Sequence, residues 1–143
     1  MTVKSPSYQY NVGYALSGGG ALGYAHLGVL SSLEARGVKP EIIAGTSVGS
    51  LAGVLYADGY SPKEIFKISE NINFKQLIKI TKPKSGLFKT TGITNFLHKH
   101  LRAKSFEELK IPFIAVVTDM QHSRMHTFSE GKDLIEAVVA SCS

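Results

Sequence analysis

The segment that most constrains the fold of this chain is Gly45-Thr46-Ser47-Val48-Gly49, which joins two apolar runs of different length. The short run Ile42-Ile43-Ala44 is typical of a buried strand, whereas the longer run from Val48 to Ala57 is typical of a helix. A serine between two glycines at a strand-to-helix junction matches the nucleophile elbow, a tight turn that exposes the serine hydroxyl. The pattern therefore predicts Ser47 as a nucleophile.

The glycines at positions 45 and 49 have a steric role in this interpretation. A Cβ atom at Gly45 or Gly49 would meet the neighbouring strand or helix, and glycine has no Cβ. The spacing alone also occurs in ordinary glycine-rich loops, in which Ser47 would simply cap the following helix. The strand before the turn and the helix after it favour the elbow.

A second glycine cluster follows another apolar stretch. Tyr14-Ala15-Leu16 leads into Ser17-Gly18-Gly19-Gly20, and the region from Ala21 to Glu34 has apolar residues at helical spacing. Backbone N–H groups of such a loop, together with a helix N-terminus, can converge on an anion. In acyl transfer that anion is the oxygen of the tetrahedral intermediate.

Two other interpretations of the glycine loop are weaker. Gly18-x-Gly20-x-x-Gly23 satisfies the dinucleotide fingerprint, but no acidic residue ends the next strand, because Glu41 begins it and the serine turn ends it. A phosphate-binding P-loop needs Lys and then Ser or Thr after the last glycine, and this chain has Tyr24 and Ala25 there.

Three segments together resemble the patatin-like phospholipases: residues 17–30 (SGGGALGYAHLGVL), 45–50 (GTSVGS) and 116–119 (VVTD). The resemblance covers nearly the whole chain. It implies a serine-aspartate dyad that acts on the acyl esters of lipids, with Ser47 at the nucleophile position. It also implies an oxyanion hole formed by Gly18, Gly19 and Gly20, to which the N–H of Val48, the residue after the nucleophile, is added.

The chain departs from the family pattern at two points. The family usually has Arg or Lys before the last glycine of the oxyanion loop, whereas this chain has Leu22. The family's aspartate lies in an Asp-Gly-Gly or Asp-Gly-Ala motif downstream of a segment resembling residues 138–143, and these 143 residues contain no such motif. The resemblance therefore implies that the catalytic aspartate is outside this chain.

Other residues are weaker candidates for the base that must take the Ser47 proton. Asp119 is expected at the end of a strand, but the resemblance implies that it organises a loop. Asp58 precedes Gly59 at a turn, and His26 on the first helix is more typical of a packed or hydrogen-bonded residue. No histidine pair has the spacing and the nearby glutamate of a zinc hydrolase helix, so we expect neither a metal nor a cofactor.

Predicted strands and helices alternate, which is typical of a mainly parallel sheet with helices on both faces. The predicted strands are 11–17, 42–45, 113–118 and 126–128, and the predicted helices are 21–36, 48–57, a helix from Pro62 with Ser61 as N-cap, 93–101 and 132–140. Right-handed crossovers would make the first two strands neighbours, with both glycine-containing loops at the carboxyl edge of the sheet. We expect one three-layer, patatin-like α/β domain over residues 1–143 that is incomplete at its C-terminus.

The net charge of +5 is concentrated between Lys67 and Lys104, where nine Lys and Arg residues accompany a single acid, Glu70. This segment is either a solvated connection or a peripheral contact with an anionic membrane. No nucleic-acid recognition motif accompanies the charge. The absence of any run of about 18 apolar residues and the single Cys142 favour a cytoplasmic protein, in peripheral contact with a membrane at most.

The predicted function is hydrolysis of lipid acyl esters, of the phospholipase A or lysophospholipase type. The substrate would be a phospholipid or another acyl-ester lipid, and no nucleic acid is expected as a partner. The alternatives are a lipid-binding relative without turnover and a dinucleotide- or phosphate-binding protein that uses the glycine loop.

Overall fold

The structure, a computed structural model, describes residues 10–70, 79–80, 88–89 and 91–143. The strands are β1 (Gly13–Leu16), β2 (Ile42–Gly45), β3 (Lys79–Ile80), β4 (Phe88–Lys89), β5 (Phe113–Asp119) and β6 (Arg124–Phe128). The helices are α1 (Tyr24–Ala35), α2 (Val48–Ala57), α3 (Pro62–Glu70), α4 (Thr91–His100) and α5 (Leu134–Ser141), with 3₁₀ turns at Gly20–Gly23 and Phe106–Glu108.

A mixed four-stranded sheet with the order β1-β2-β5-β6 forms the centre of the fold. β1, β2 and β5 are parallel, with Leu16 opposite Gly45 and Gly45 opposite Ala115, and β6 is antiparallel to β5. β3 and β4 form a separate antiparallel pair. The predicted α/β class with a mainly parallel sheet is confirmed, as is the pairing of the first two strands.

Most predicted elements are present with shifted ends. β2 and α2 have the predicted bounds, whereas the predicted helix 21–36 begins as a 3₁₀ turn and becomes α-helical only at Tyr24. Gly20 has a φ of 53°, outside the right-handed helical region, so the α-helix cannot extend back through the glycines. β6 is longer than predicted, because it pairs with β5 from Arg124 to Phe128.

Helix α2 is the centre of the hydrophobic core. All ten of its residues are buried, as expected of a helix that is apolar on every side. Gly53 lets it lie close to the sheet, because a Cβ there would be 3.0 Å from the Phe113 ring and 3.2 Å from Ile43. The strand-to-helix turn therefore leads into the most buried helix of the described chain.

The described helices lie on one face of the sheet. α2 packs on β1, β2 and β5, and α1, α3 and α5 contact α2. The opposite face carries small and apolar side chains that are partly exposed, including Ala15, Ala44 and Val116. No helix in ranges 10–70 and 91–143 covers this face, so the second helical layer stays a prediction.

The predicted N-cap of α3 is confirmed. The Glu64 N–H donates to the Ser61 hydroxyl at 3.3 Å, and the Ser61 N–H donates to the Glu64 carboxylate at 2.8 Å. This reciprocal pair is a capping box, which satisfies donors that the first helical turn leaves without partners.

The basic segment from Lys67 to Lys104 lies largely outside the described residues. Only its ends, at 67–70 and 91–104, and the backbone of β3 and β4 are described. Among the helices of the described ranges, none has the length and apolar character needed to cross a bilayer.

Asp58 joins the end of α2 to a distant loop. Its buried carboxylate accepts hydrogen bonds from the backbone N–H of Arg102 at 2.9 Å and of Ala103 at 3.1 Å. The predicted turn role of Asp58 agrees with these contacts, which also hold the chain that follows α4 against the core.

We expect the substitution Asp58→Ala to lower the free energy of unfolding by about 2 kcal/mol, because it leaves the part-buried Arg102 N–H and the buried Ala103 N–H without this acceptor. Urea unfolding measures the loss. Asp133→Ala is the matched control, because Asp133 is exposed and its side chain makes no cap hydrogen bond at the start of α5. Equal stability of the two variants would contradict this role of Asp58.

Candidate active site

The turn between β2 and α2 holds Ser47 in an unusual conformation. Ser47 has a φ of 52° and a ψ of −124°, and only one other non-glycine residue of the described chain, Ser123, has a positive φ. L-residues rarely adopt a positive φ, and such outliers concentrate at functional sites. The half-buried Ser47 thus has the strained backbone expected of the predicted elbow.

The two glycines that flank the turn are required by close backbone contacts. A Cβ on Gly45 would lie 2.6 Å from the Gly49 carbonyl oxygen and 2.7 Å from the Ser50 Cα. A Cβ on Gly49 would collide with the Leu16 carbonyl and lie 2.5 Å from the Ser17 carbonyl oxygen. The start of α2 therefore rests directly on the end of β1.

The glycine-rich loop after β1 lies against the turn. A Cβ on Gly18 would be 3.4 Å from Thr46 Cγ2 and 3.5 Å from Ser47 Cβ, so the two motifs lie side by side. Gly19 and Gly20 follow, and Gly20 opens the 3₁₀ turn. At the end of that turn, a Cβ on Gly23 would collide with the Val48 side chain.

One backbone donor, the N–H of Val48, is available at the start of α2. Val48 is the first residue of the helix, so its N–H has no acceptor one turn earlier, and helix N-termini attract anions. The Gly49 N–H already donates to the Thr46 carbonyl at 2.9 Å. Val48 directly follows Ser47, and Gly18 lies beside Ser47, so these three of the residues proposed from the sequence are neighbours.

A histidine supports the glycine loop from α1. His26 Nε2 lies 2.8 Å from the Ser17 carbonyl oxygen, and because a carbonyl can only accept, the ring nitrogen donates. His26 is therefore a hydrogen-bonded helix residue that anchors the loop, in agreement with the sequence-based interpretation.

Asp119 has its own partners at the end of β5. It accepts hydrogen bonds from the backbone N–H of Gln121 at 2.9 Å and of His122 at 3.2 Å, and from the His122 ring at 2.7 Å. These bonds, that from the His122 ring above all, hold the pKa of the Asp119 carboxyl below its usual range. They also organise the turn into β6, the loop role that the sequence resemblance implies.

Asp119 also lies well beyond the level at which β5 pairs with the strand that precedes Ser47. It lies four residues beyond Ala115, the partner of Gly45 in the sheet, which is about 13 Å along the strand. A general base must come within hydrogen-bond reach of the hydroxyl. The other acid weighed from the sequence, Asp58, is buried at the opposite end of α2, where it binds the loop after α4.

The single cysteine of the chain is unsuited to chemistry at this site. Burial raises the pKa of the Cys142 thiol to about 12, so it is not a nucleophile at neutral pH. Within the described residues, no three His, Cys, Asp or Glu side chains are grouped so that they could hold a metal ion.

An apolar cleft opens beside the turn, between α1, α2, α3 and α4. It encloses about 450 Å³ of empty space, including its open mouth. Gly23 and Val48 lie at its end nearest Ser47, and the rest of its wall is formed by Tyr24, Leu27, Leu51, Ala52, Leu55, Ile65, Ser69 and Phe96. Its wall is mostly apolar, as is typical of small-ligand pockets.

Sequence reasoning missed two parts of this site. The cleft joins side chains of four helices, and no local pattern marks it. The second part is Ser141, whose hydroxyl accepts the Ser47 N–H at 2.9 Å from 94 positions away. In the sequence, the segment 138–143 that contains Ser141 is marked only by the family resemblance.

A strained serine at a strand-to-helix turn, a glycine loop beside it and an adjacent apolar cleft are the arrangement expected of an α/β enzyme that acts on apolar esters. The family model described as "Patatin-like phospholipase" matches residues 14–143. The chain belongs to the patatin-like phospholipase family.

Curated relatives agree with this assignment. The chain is similar to patatin-like phospholipase domain-containing protein 6 of Mus musculus, with 32% identity over 127 residues, which covers 84% of this chain and 9% of the relative. It is also similar to neuropathy target esterase sws of Drosophila melanogaster, with 30% identity over 128 residues, which covers 82% of this chain and 9% of the relative. The chain thus spans about a tenth of the length of these relatives.

Solved structures share the fold. The crystal structure of the type III effector protein ExoU matches with a TM-score of 0.60 and 15% identity, over 92% of this chain and 39% of that chain. The complex of SpcU with ExoU from Pseudomonas aeruginosa matches with a TM-score of 0.61. At this level of identity the likeness shows the fold alone.

We expect Gly49→Ala to lower the free energy of unfolding by about 3 kcal/mol or more, because its Cβ overlaps backbone atoms at the end of β1. Gly28→Ala is the control, since a Cβ there meets nothing within 4 Å and alanine gains about 1 kcal/mol in a helix interior. Thermal unfolding of both variants is the measurement. A Gly49→Ala protein as stable as Gly28→Ala would contradict the close approach of α2 to β1.

Proposed function

We propose that the chain carries the nucleophile and oxyanion hole of a lipid acyl hydrolase of the phospholipase A or lysophospholipase type. Ser47 is the nucleophile, and N–H groups of Gly18, Gly19, Gly20 and Val48 bind the oxyanion. The observation that carries the proposal is the position of Gly18 beside the strained Ser47, in a chain of the patatin-like phospholipase family.

The reaction would proceed through an acyl-enzyme. Ser47 Oγ forms a bond to the ester carbonyl carbon as its proton passes to the base, and the carbonyl oxygen becomes the oxyanion. Collapse breaks the bond to the alcohol, which takes the proton from the base. Water then repeats the attack with the same base and releases the fatty acid.

The proposed base is an aspartate outside these 143 residues, which would form a dyad with Ser47. The contacts of two carboxylates within the chain support this proposal indirectly. Asp58 binds two backbone amides far from Ser47, and Asp119 binds the turn that follows β5. Neither is free to approach the serine hydroxyl without loss of those bonds.

The apolar cleft is the proposed site of the acyl chain. It begins at Gly23 and Val48, beside the serine, and continues between helices with an apolar wall. Exposed apolar side chains lie near it, with Leu22 77% exposed and Phe66 43% exposed. Phe66 also contacts Tyr24 of the cleft wall, with ring centroids 5.6 Å apart.

A peripheral contact with an anionic membrane, through the basic segment from Lys67 to Lys104, is part of the proposal. Cations near an anionic bilayer each contribute about 1 kcal/mol, and the exposed Phe66 precedes the first of them. A cytoplasmic location, with no nucleic acid as partner, completes this proposal.

We expect a fluorophosphonate probe to label the chain at Ser47 and to label a C-terminally extended form faster, because the aspartate takes the serine proton. Ser47→Ala should abolish labelling, and in the extended form it should lower lipid ester hydrolysis about 10⁴-fold or more. Ser31→Ala, an exposed serine on α1, is the control and should label like the parent chain.

Three results would argue against the proposal. Labelling that survives Ser47→Ala would remove this serine from its role. Lipid binding without labelling of the extended form would favour a non-catalytic lipid-binding protein. Tight binding of a nicotinamide cofactor, lost on changes to the glycine loop, would favour a dinucleotide-binding protein.

The acyl-chain site is tested by Ser69→Leu, which adds bulk to the cleft wall. Each methylene excluded from the cleft loses about 0.8 kcal/mol, so two would lower kcat/KM for a sixteen-carbon ester about tenfold. An acetyl ester should be unaffected. Ser69→Ala is the control, since it also removes the hydrogen bond to the Phe66 carbonyl but adds no bulk. Equal losses for long and short esters would place the acyl chain elsewhere.

A further inference from the structure

The hydroxyl of Ser141 connects the predicted nucleophile to two other elements. It accepts the backbone N–H of Ser47 at 2.9 Å and donates its own hydrogen to the Val116 carbonyl at 2.6 Å. Ser141 is the last residue of α5, and Val116 lies in β5. The strained turn is thereby bonded to a helix end and a strand that are both remote from it in sequence.

The Val116 carbonyl can accept these side-chain hydrogen bonds because the pairing of β5 with β2 ends just before it. Pairing between β2 and β5 ends at Gly45 and Ala115, one residue before Val116. Thr46 follows the end of β2, and its hydroxyl donates to the same Val116 carbonyl at 3.0 Å. One carbonyl therefore binds both halves of the turn, Thr46 directly and Ser47 through Ser141.

The geometry determines which way the Ser141 hydroxyl points. Its single hydrogen is used in the short bond to Val116, so a lone pair is left to accept the Ser47 N–H. A positive φ at Ser47 persists only if the surroundings hold it. The glycines permit this conformation, but the Ser141 bond acts on the Ser47 backbone itself.

We propose that Ser141 is a positioning residue for the Ser47 nucleophile. This inference rests on the proposed function. It holds the Ser47 amide, and with it the direction of the Cα–Cβ bond that aims Oγ at the ester. Ser141 itself touches neither substrate nor the reacting atoms. Because it ends α5, the position of that helix also sets the position of the nucleophile.

The test compares four variants by the rate constant of fluorophosphonate labelling, in the chain and in its C-terminally extended form. Ser141→Ala removes the bridging hydroxyl and leaves a partly buried donor unpaired, so we expect labelling about tenfold slower. Ser141→Thr keeps the hydroxyl and should recover most of the rate. Ser141→Cys keeps the shape with a much weaker hydrogen bond, should resemble Ser141→Ala, and replaces it if the alanine variant does not fold.

Ser143→Ala is the matched control. The Ser143 hydroxyl also lies at the end of α5, where it donates to the Val139 carbonyl at 2.9 Å, but it makes no contact with the turn. Labelling of this variant should match the parent. Thermal unfolding is measured for every variant, because a purely structural role of Ser141 would lower stability without a slower reaction per folded molecule.

A second readout does not depend on chemistry. Amide hydrogen exchange of Ser47, followed by NMR, should be faster in Ser141→Ala and unchanged in Ser143→Ala. Labelling and Ser47 exchange at parent rates in Ser141→Ala would overturn the inference while leaving the proposed function intact. Labelling that survives Ser47→Ala would overturn the proposed function, whatever Ser141 does to the amide.

Discussion

The close approach of the start of α2 to the end of β1 is the constraint on which the site depends. The Gly49 backbone rests on the carbonyls of Leu16 and Ser17, where no side chain fits. The Thr46 N–H donates to the same Leu16 carbonyl at 3.0 Å. The residues after Leu16 form the glycine loop, so this one contact sets both the position of Ser47 and the position of the loop beside it. A shift of α2 would separate the two motifs, because interiors packed at this density do not deform gradually.

The burial of α2 explains how a strained turn is maintained. A helix buried along its whole length is held by the sheet below it and by α1, α3 and α5 around it. The free energy of that packing offsets the cost of the Ser47 conformation, about 1–3 kcal/mol for an outlier of this kind. The cleft lies between α1, α2, α3 and α4, so three of the helices that hold the serine in place also form the apolar space beside it.

Much of the fold was predictable because its signals are local. Gly45, Ser47 and Gly49 reveal the turn through their spacing between a strand and a helix, and the bounds of β2 and α2 were predicted correctly. The start of α1 was not, because the glycines before it adopt a 3₁₀ turn that helical periodicity does not distinguish from an α-helix. The bond from Ser47 to Ser141 spans 94 positions, and sequence spacing carries no information about such a contact. The adjacency of Gly18 and Ser47 was predictable only through the rule that parallel strands end at one edge of the sheet.

The partners that hold the site are almost all uncharged. The turn is bonded by hydroxyls of Thr46 and Ser141 to one carbonyl, and the uncharged Leu22 precedes the last glycine of the loop. Uncharged partners avoid the desolvation cost of buried ions, and fixed backbone dipoles need no reorganisation as charge develops on an oxyanion. Asp58 and Asp119, the two carboxylates considered as the base, accept hydrogen bonds from backbone amides elsewhere in the structure. In the proposed reaction the proton acceptor is the one charged component still required, and the proposal places it on an element outside the scaffold described by these residues.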